Sequence, residues 1–176
     1  MWEFKFYSRG GQGAVTAAKI LINAPIIEGK YGQAIPSYGQ ERERARVDAE
    51  RRALMRPLSV IDCSYAPEGV VCVDASRARL GMDITEGVKS GSTVIVNTDD
   101  ADYKNESFEK VCVIDADKIT HELLGEVPPN VAMLGALAKA TGCVGIESLK
   151  QAVMSKIPGK AGEKNAETCA AAYENA

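Results

Sequence analysis

Trp2-Glu3-Phe4-Lys5-Phe6-Tyr7 runs into Ser8-Arg9-Gly10-Gly11-Gln12-Gly13 and then into Ala14-Val15-Thr16-Ala17-Ala18-Lys19-Ile20-Leu21. The first six residues alternate, with Trp2, Phe4 and Phe6 on one face, as a half-buried strand requires. The last eight read as a buried helix. A strand, a three-glycine turn and a helix start form a potential anion site, because glycines admit close backbone approach. The unpaired N–H groups and helix dipole attract negative charge there, and Arg9 adds a permanent cation. The same turn also serves as a tight strand-to-helix connection whose glycines only pack, and both readings stay open.

Two common nucleotide motifs do not fit. A dinucleotide fingerprint needs G-x-G-x-x-G and an acidic residue about 20 positions on. Here Thr16 occupies the third glycine position after Gly11 and Gly13, and the next strand candidate, near Tyr31, ends without a carboxylate. The G-x-x-x-x-G-K-[ST] phosphate loop is absent, so neither NAD nor ATP is supported.

The rest of the chain alternates strands and helices, which indicates the α/β class. Pro25 and Gly29 are expected to end the first helix, with a kink at Pro25 as the alternative. Tyr31–Ser37 reads as a short strand closed by Pro36. Across 40–56, Arg42, Arg44, Arg46, Arg51, Arg52 and Arg56 alternate with Glu41, Glu43, Asp48 and Glu50, an extended, charged strand pair or loop. Strands are expected at 69–74, 92–97 and 111–115, with helices at 77–89, 117–124, 131–141, 146–154 and 162–173. The runs at 70–73, 93–96 and 111–114 are apolar throughout, as strands covered on both faces are. The expected architecture is a single three-layer α/β/α domain over 1–176, Rossmann-like, with a mixed central sheet. The glycine turn would then lie at the carboxyl end of the first strand, where such sheets bind ligands.

Bulk properties narrow the function. The chain has 176 residues, a net charge of −3, 45% hydrophobic and 26% charged residues, an ordinary balance for a globular protein that gives no electrostatic case for nucleic acid. No apolar run approaches the ~18–20 residues of a membrane helix, and Met1 leads into a strand rather than a secretory leader. The five cysteines (Cys63, Cys72, Cys112, Cys143 and Cys169) form no C-x-x-C pair. An odd, widely spaced set points to reduced thiols in a cytoplasm and argues against an iron–sulfur cluster held by this chain alone. His121 is the only histidine, so a His-based metal site is not expected; an exposed helix position is. No catalytic constellation stands out.

Several segments together resemble the gamma subunits of 2-oxoacid:ferredoxin oxidoreductases of the pyruvate or 2-ketoisovalerate type. They are Arg9-Gly10-Gly11-Gln12-Gly13-Ala14-Val15-Thr16-Ala17-Ala18, then Gln33-Ala34-Ile35-Pro36-Ser37-Tyr38-Gly39 with Glu41-Arg42. Asn130-Val131-Ala132-Met133-Leu134-Gly135-Ala136 and Pro158-Gly159-Lys160 with Glu163-Lys164-Asn165 follow in the family's order. The resemblance spans nearly the whole chain. It implies a subunit that completes an enzyme oxidatively decarboxylating a 2-oxoacid to its acyl-CoA and CO2, with electrons passed to ferredoxin. Alpha, beta and delta-type subunits are the implied partners, and a homodimer is an open assembly for the isolated chain. Thiamine diphosphate, Mg2+, iron–sulfur clusters and coenzyme A are the implied cofactors of the complex, none held by this chain alone. The sequence departs from the family where Gln40, Arg44 and Arg46 replace Pro, Gly and Pro, and where Pro25 enters the usual first helix.

The candidate cofactor contacts are Arg9, Gly10, Gly11, Gln12, Gly13, Ser37, Tyr38 and Arg42, with no catalytic and no metal residue assigned. Guanidinium forks bind phosphate and carboxylate bidentately; Ser37 and Tyr38 either bond a ligand or shape the Pro36 turn. Arg44 and Arg46 fit a solvated charged strand, as Lys160 and Lys164 fit a solvated helix start. Two other functions stay open: a standalone nucleotide- or coenzyme A-binding module without catalytic activity, and an assembly subunit whose glycine turn binds nothing.

Overall fold

The computed structural model describes residues 2–9, 11–31, 33–36, 48–54, 67–74, 84–85 and 87–176. Six strands form one sheet: β1 (Glu3–Arg9), β2 (Gln33–Pro36), β3 (Asp48–Leu54), β4 (Gly69–Cys72), β5 (Thr93–Asn97) and β6 (Lys110–Ile114), in the order β2-β3-β1-β4-β5-β6. The pairs β1–β4, β4–β5 and β5–β6 are parallel. β3 lies antiparallel to both β1 and β2, with Arg9 opposite Asp48. The charged stretch at 40–56 therefore contributes one strand, β3; residues 40–47 and 55–56 lie outside the described residues.

Five helices are described: α1 (Ala14–Ile27), α2 (Ala116–Leu124), α3 (Asn130–Thr141), α4 (Ile146–Lys156) and α5 (Lys160–Glu174). They confirm the α/β class. Each helix expected from the sequence beyond residue 115 is found, extended by a few residues at its ends. α1 differs more: it passes through buried Pro25 and ends at Ile27, with Glu28 as its C-cap. Proline removes one helical donor, its own N–H, and its ring crowds the carbonyl four residues back. The bonds Glu28 N–H to Ala24 O and Lys30 N–H to Pro25 O still close the last turns.

All five helices contribute to one core against one face of the sheet. Phe4 and Phe6 of β1, Val71 and Val73, Ile95, Cys112 and Ile114 meet α1 and α3 there. α3 is the central element, buried continuously from Val131 to Ala138. Met133, Leu134 and Leu137 are wholly buried, each worth about 1.5–3 kcal/mol of stability. Gly135 sets the spacing of this layer: a Cβ there would collide with the Cys169 carbonyl oxygen of α5 and lie 3.1 Å from Tyr173 N.

The opposite face carries Tyr7, Val70, Cys72, Val94 and Val96, covered by Ile84, Val88, Tyr103 and Phe108. The helix expected at 77–89 falls largely outside the described residues, but its described end, 84–85 and 87–89, is turn and irregular chain rather than helix. Gly87 there has φ 72°, left-handed backbone that stops a helix. Among the described residues no helix is long and apolar enough to cross a membrane.

Candidate functional site

The glycine turn lies at the carboxyl end of β1 and opens α1. Gly11 and Gly13 have φ of 86° and 75°, conformations that only glycine adopts freely. Gly13 is the N-cap of α1; its carbonyl accepts the first helical bond from Ala17 N at 2.9 Å. Gly13 contributes no side-chain cap, and no acidic residue stands in the first turn of α1. Its cap residue therefore offers no side chain to the first N–H groups of α1, which stand at the positive end of a 14-residue dipole.

The turn is fastened to α3. Asn130, the first residue of α3, donates from Nδ2 to the Gly13 carbonyl at 3.1 Å and accepts from Val131 N at Oδ1, 2.9 Å. A Cβ on Gly13 would collide with the Asn130 carboxamide. The amino termini of α1 and α3 thus meet within one side chain's reach, joining two segments 117 residues apart in sequence. α3 also has no acidic residue in its first turn.

The same sheet edge holds a second polar node. Asn97, buried at the end of β5, donates to the Val73 carbonyl at 2.9 Å and to Asp117 Oδ2 at 2.8 Å. Its Oδ1 accepts from Ala116 N at 2.9 Å and Asp117 N at 3.3 Å. Val73 N in turn donates to the Tyr7 carbonyl at 2.9 Å. Asp115 caps α2 by accepting from Lys118 N at 2.9 Å. These bonds order the edge from β1 across to α2, satisfying backbone groups that would otherwise be buried unpaired.

Of the candidate contacts, Gly11, Gln12 and Gly13 form this turn, with Gln12 partly buried and Gly11 exposed. Arg9 closes β1, paired through its backbone with Asp48; its side chain is not among those described. Gly10, Ser37, Tyr38 and Arg42 lie outside the described residues, as do Arg44 and Arg46. The motif at 158–165 forms the α4–α5 junction. A Cβ on Gly162 would collide with the Ile157 carbonyl, and Lys160 and Lys164 are exposed. His121 is exposed, 3.2 Å from Glu126. Among the described residues no three His, Cys, Asp or Glu side chains converge on a metal position.

Sequence reasoning assigned no individual role to Ser8, Asn97 or Asn130. Ser8 is 4% exposed, and its hydroxyl has no hydrogen-bond partner among the described residues. Each had a signal: a serine ending an aromatic strand, an asparagine ending the apolar run 93–96, and an asparagine following Pro128-Pro129 at a helix start.

Residues 3–175 match the family model of pyruvate ferredoxin/flavodoxin oxidoreductase. The chain is 44% identical to the pyruvate/ketoisovalerate oxidoreductases common subunit gamma of Pyrococcus furiosus, covering 99% of this chain and 96% of the relative. It is 41% identical to pyruvate synthase subunit PorC of Methanocaldococcus jannaschii, over 98% of this chain and 96% of that one. The crystal structure of pyruvate oxidoreductase subunit PORC from Thermotoga maritima superposes with a TM-score of 0.77 at 30% identity, covering 98% of this chain and 95% of that one. The chain belongs to the pyruvate ferredoxin/flavodoxin oxidoreductase family, as a gamma-type subunit of a multi-subunit 2-oxoacid:ferredoxin oxidoreductase.

Proposed function

We infer that this subunit supplies a docking wall for coenzyme A in the assembled oxidoreductase. The observation that carries the reading is the glycine-capped, acid-free amino terminus of α1 behind a glycine turn whose two described glycines have positive φ. Such a turn presents several N–H donors to one anion, and coenzyme A carries phosphate groups. In this reading Arg9 and Arg42 would add charge to the contact and the glycine turn backbone donors, with Ser37 and Tyr38 as further candidate contacts.

The remaining chemistry belongs to the partners. Alpha-, beta- and delta-type subunits hold thiamine diphosphate, Mg2+ and the iron–sulfur clusters, and ferredoxin meets the complex rather than this chain. The described residues do not fit a cluster: Cys72, Cys112, Cys143 and Cys169 are buried and dispersed over β4, β6, the α3–α4 loop and α5. Coenzyme A, when bound, provides the acceptor thiol for the acyl group; the role of this chain is to hold its anionic part and orient it. The complex is placed in the cytoplasm, a reading supported by the odd, widely spaced cysteines of the sequence.

A charge-assisted contact contributes about 1.5–3 kcal/mol, so Arg9→Ala in the assembled complex should weaken coenzyme A about 10- to 150-fold. The 2-oxoacid KM should change much less. Unchanged coenzyme A affinity in a complex of intact composition makes the turn a packing element and removes this reading.

A further inference from the structure

We propose that Asn130 is a positioning residue for an anion-binding bay where the amino termini of α1 and α3 meet, with the Ser8 hydroxyl as a donor inside it. The group bound is a phosphate or pyrophosphate; the proposal rests on the reading of the glycine turn as a coenzyme A contact.

The argument begins with charge. α2, α4 and α5 each carry a carboxylate in the first turn: Asp117, Glu147 and Glu163. α1 and α3, the two helices that Asn130 joins, carry none. Two positive helix ends held side by side repel each other and attract an anion. Asn130 enforces that arrangement with a donor to Gly13 and an acceptor from Val131. By holding the Gly13 carbonyl, it fixes the direction of the turn's N–H groups.

Ser8 points to the ligand independently. Strand alternation places it with Phe4 and Phe6, on the β1 face against which α1 and α3 pack. It precedes Arg9 and the glycine turn, and its buried hydroxyl bonds to nothing among the described residues. A buried hydroxyl without a partner destabilises a fold, and alanine would occupy the position without that penalty. The hydroxyl is therefore available to a partner from outside the chain. Ser8 precedes the turn by two residues, and a Cβ on Gly11 would meet nothing within 4 Å, so the space beside the turn is open.

The test uses the complete oxidoreductase, assembled with Ser8→Ala, Asn130→Ala, Asn130→Asp or Arg9→Ala, with KM for coenzyme A, KM for the 2-oxoacid, kcat and Tm measured for each. Ser8→Ala and Asn130→Ala should each raise the coenzyme A KM by about 2- to 12-fold, the value of one neutral hydrogen bond. The 2-oxoacid KM should stay within about twofold, below that same range. Asn130→Asp keeps the acceptor for Val131 but loses the donor and adds negative charge, so its effect should exceed that of Asn130→Ala. Ser8→Ala should leave Tm unchanged or raised. If Arg9→Ala weakens coenzyme A but Ser8→Ala and the Asn130 variants do not, the proposal is overturned and the docking-wall reading stands. If none of the four affects coenzyme A, both fall. Should the Asn130 variants not assemble, Ser8→Ala decides alone, since it removes a group with no partner among the described residues.

Discussion

Replacing Gly135 by alanine tests the packing that holds the site together. An added methyl group would collide with the Cys169 carbonyl oxygen and sit 3.0 Å from its carbon and 3.1 Å from Tyr173 N. Ordinary carbon contacts need about 3.5–4.0 Å, so α3 and α5 must part by at least about 0.5 Å. The obstacle is backbone inside a helix, with no rotamer to turn aside. Overpacking of this kind costs about 1–3 kcal/mol. An unpacked helix position gives the opposite sign, since alanine there is favoured over glycine by about 1 kcal/mol. For a chain of this size the collision should lower Tm by about 2–12 °C, whereas a position free of contact should gain about 2–4 °C. Thermal unfolding followed by circular dichroism on the purified chain reads the sign directly. Cys169→Ala in the same background should not rescue it, because the contact is with main chain. A Tm for Gly135→Ala equal to or above wild type would refute the claim that Gly135 sets the α3–α5 spacing.

Other outcomes follow from the charges and thiols. The Glu28 carboxyl is held below its ordinary 4.5 by the Lys30 ammonium and by the Gly145 N–H, 2.8 Å away, which ties the end of α1 to the start of α4. Its folded pKa lies below its unfolded one, so its stabilisation is present above about pH 4.5 and is lost as pH falls through the folded value. Glu28→Gln should therefore lower Tm at neutral pH, and the gap to wild type should shrink as pH falls below 4.5; a constant gap would contradict this. Burial raises the Cys112 thiol, and pushes Cys143 up to about 11 and Cys169 to about 12, so these three should resist alkylation in the native chain at about pH 8. All five should react once the unreduced protein is denatured; fewer thiols, or visible absorbance from a cluster, would overturn the account of the cysteines.

The parts of the fold governed by local periodicity were legible in the sequence. Alternation in Trp2–Tyr7 marks β1, the apolar runs at 70–73, 93–96 and 111–114 mark the parallel strands, and Gly125 and Gly142 mark helix ends. Tertiary context hid the rest. Burial carries α1 through Pro25, against its local signal. The charged alternation of 48–54 hides a strand pairing with β1, because neither its charges nor its two arginines in succession announce which edge it joins. The glycine turn was visible as a motif, but its fastening to Asn130 spans 117 residues and no local pattern encodes it. The motif from Asn130 to Ala136 divides accordingly: Asn130 shapes the turn, while Met133, Leu134 and Gly135 fill or space the core.

The central claim, that this chain completes a 2-oxoacid:ferredoxin oxidoreductase, is tested most directly by reconstitution. The tagged chain is expressed with and without the partner subunits and assayed for ferredoxin reduction with pyruvate, thiamine diphosphate and coenzyme A. The chain should recover its partners, and the recovered complex should reduce ferredoxin in a coenzyme A-dependent way, while the chain alone shows none. Activity from the single chain, or a chain that purifies free of co-expressed partners, would contradict the account.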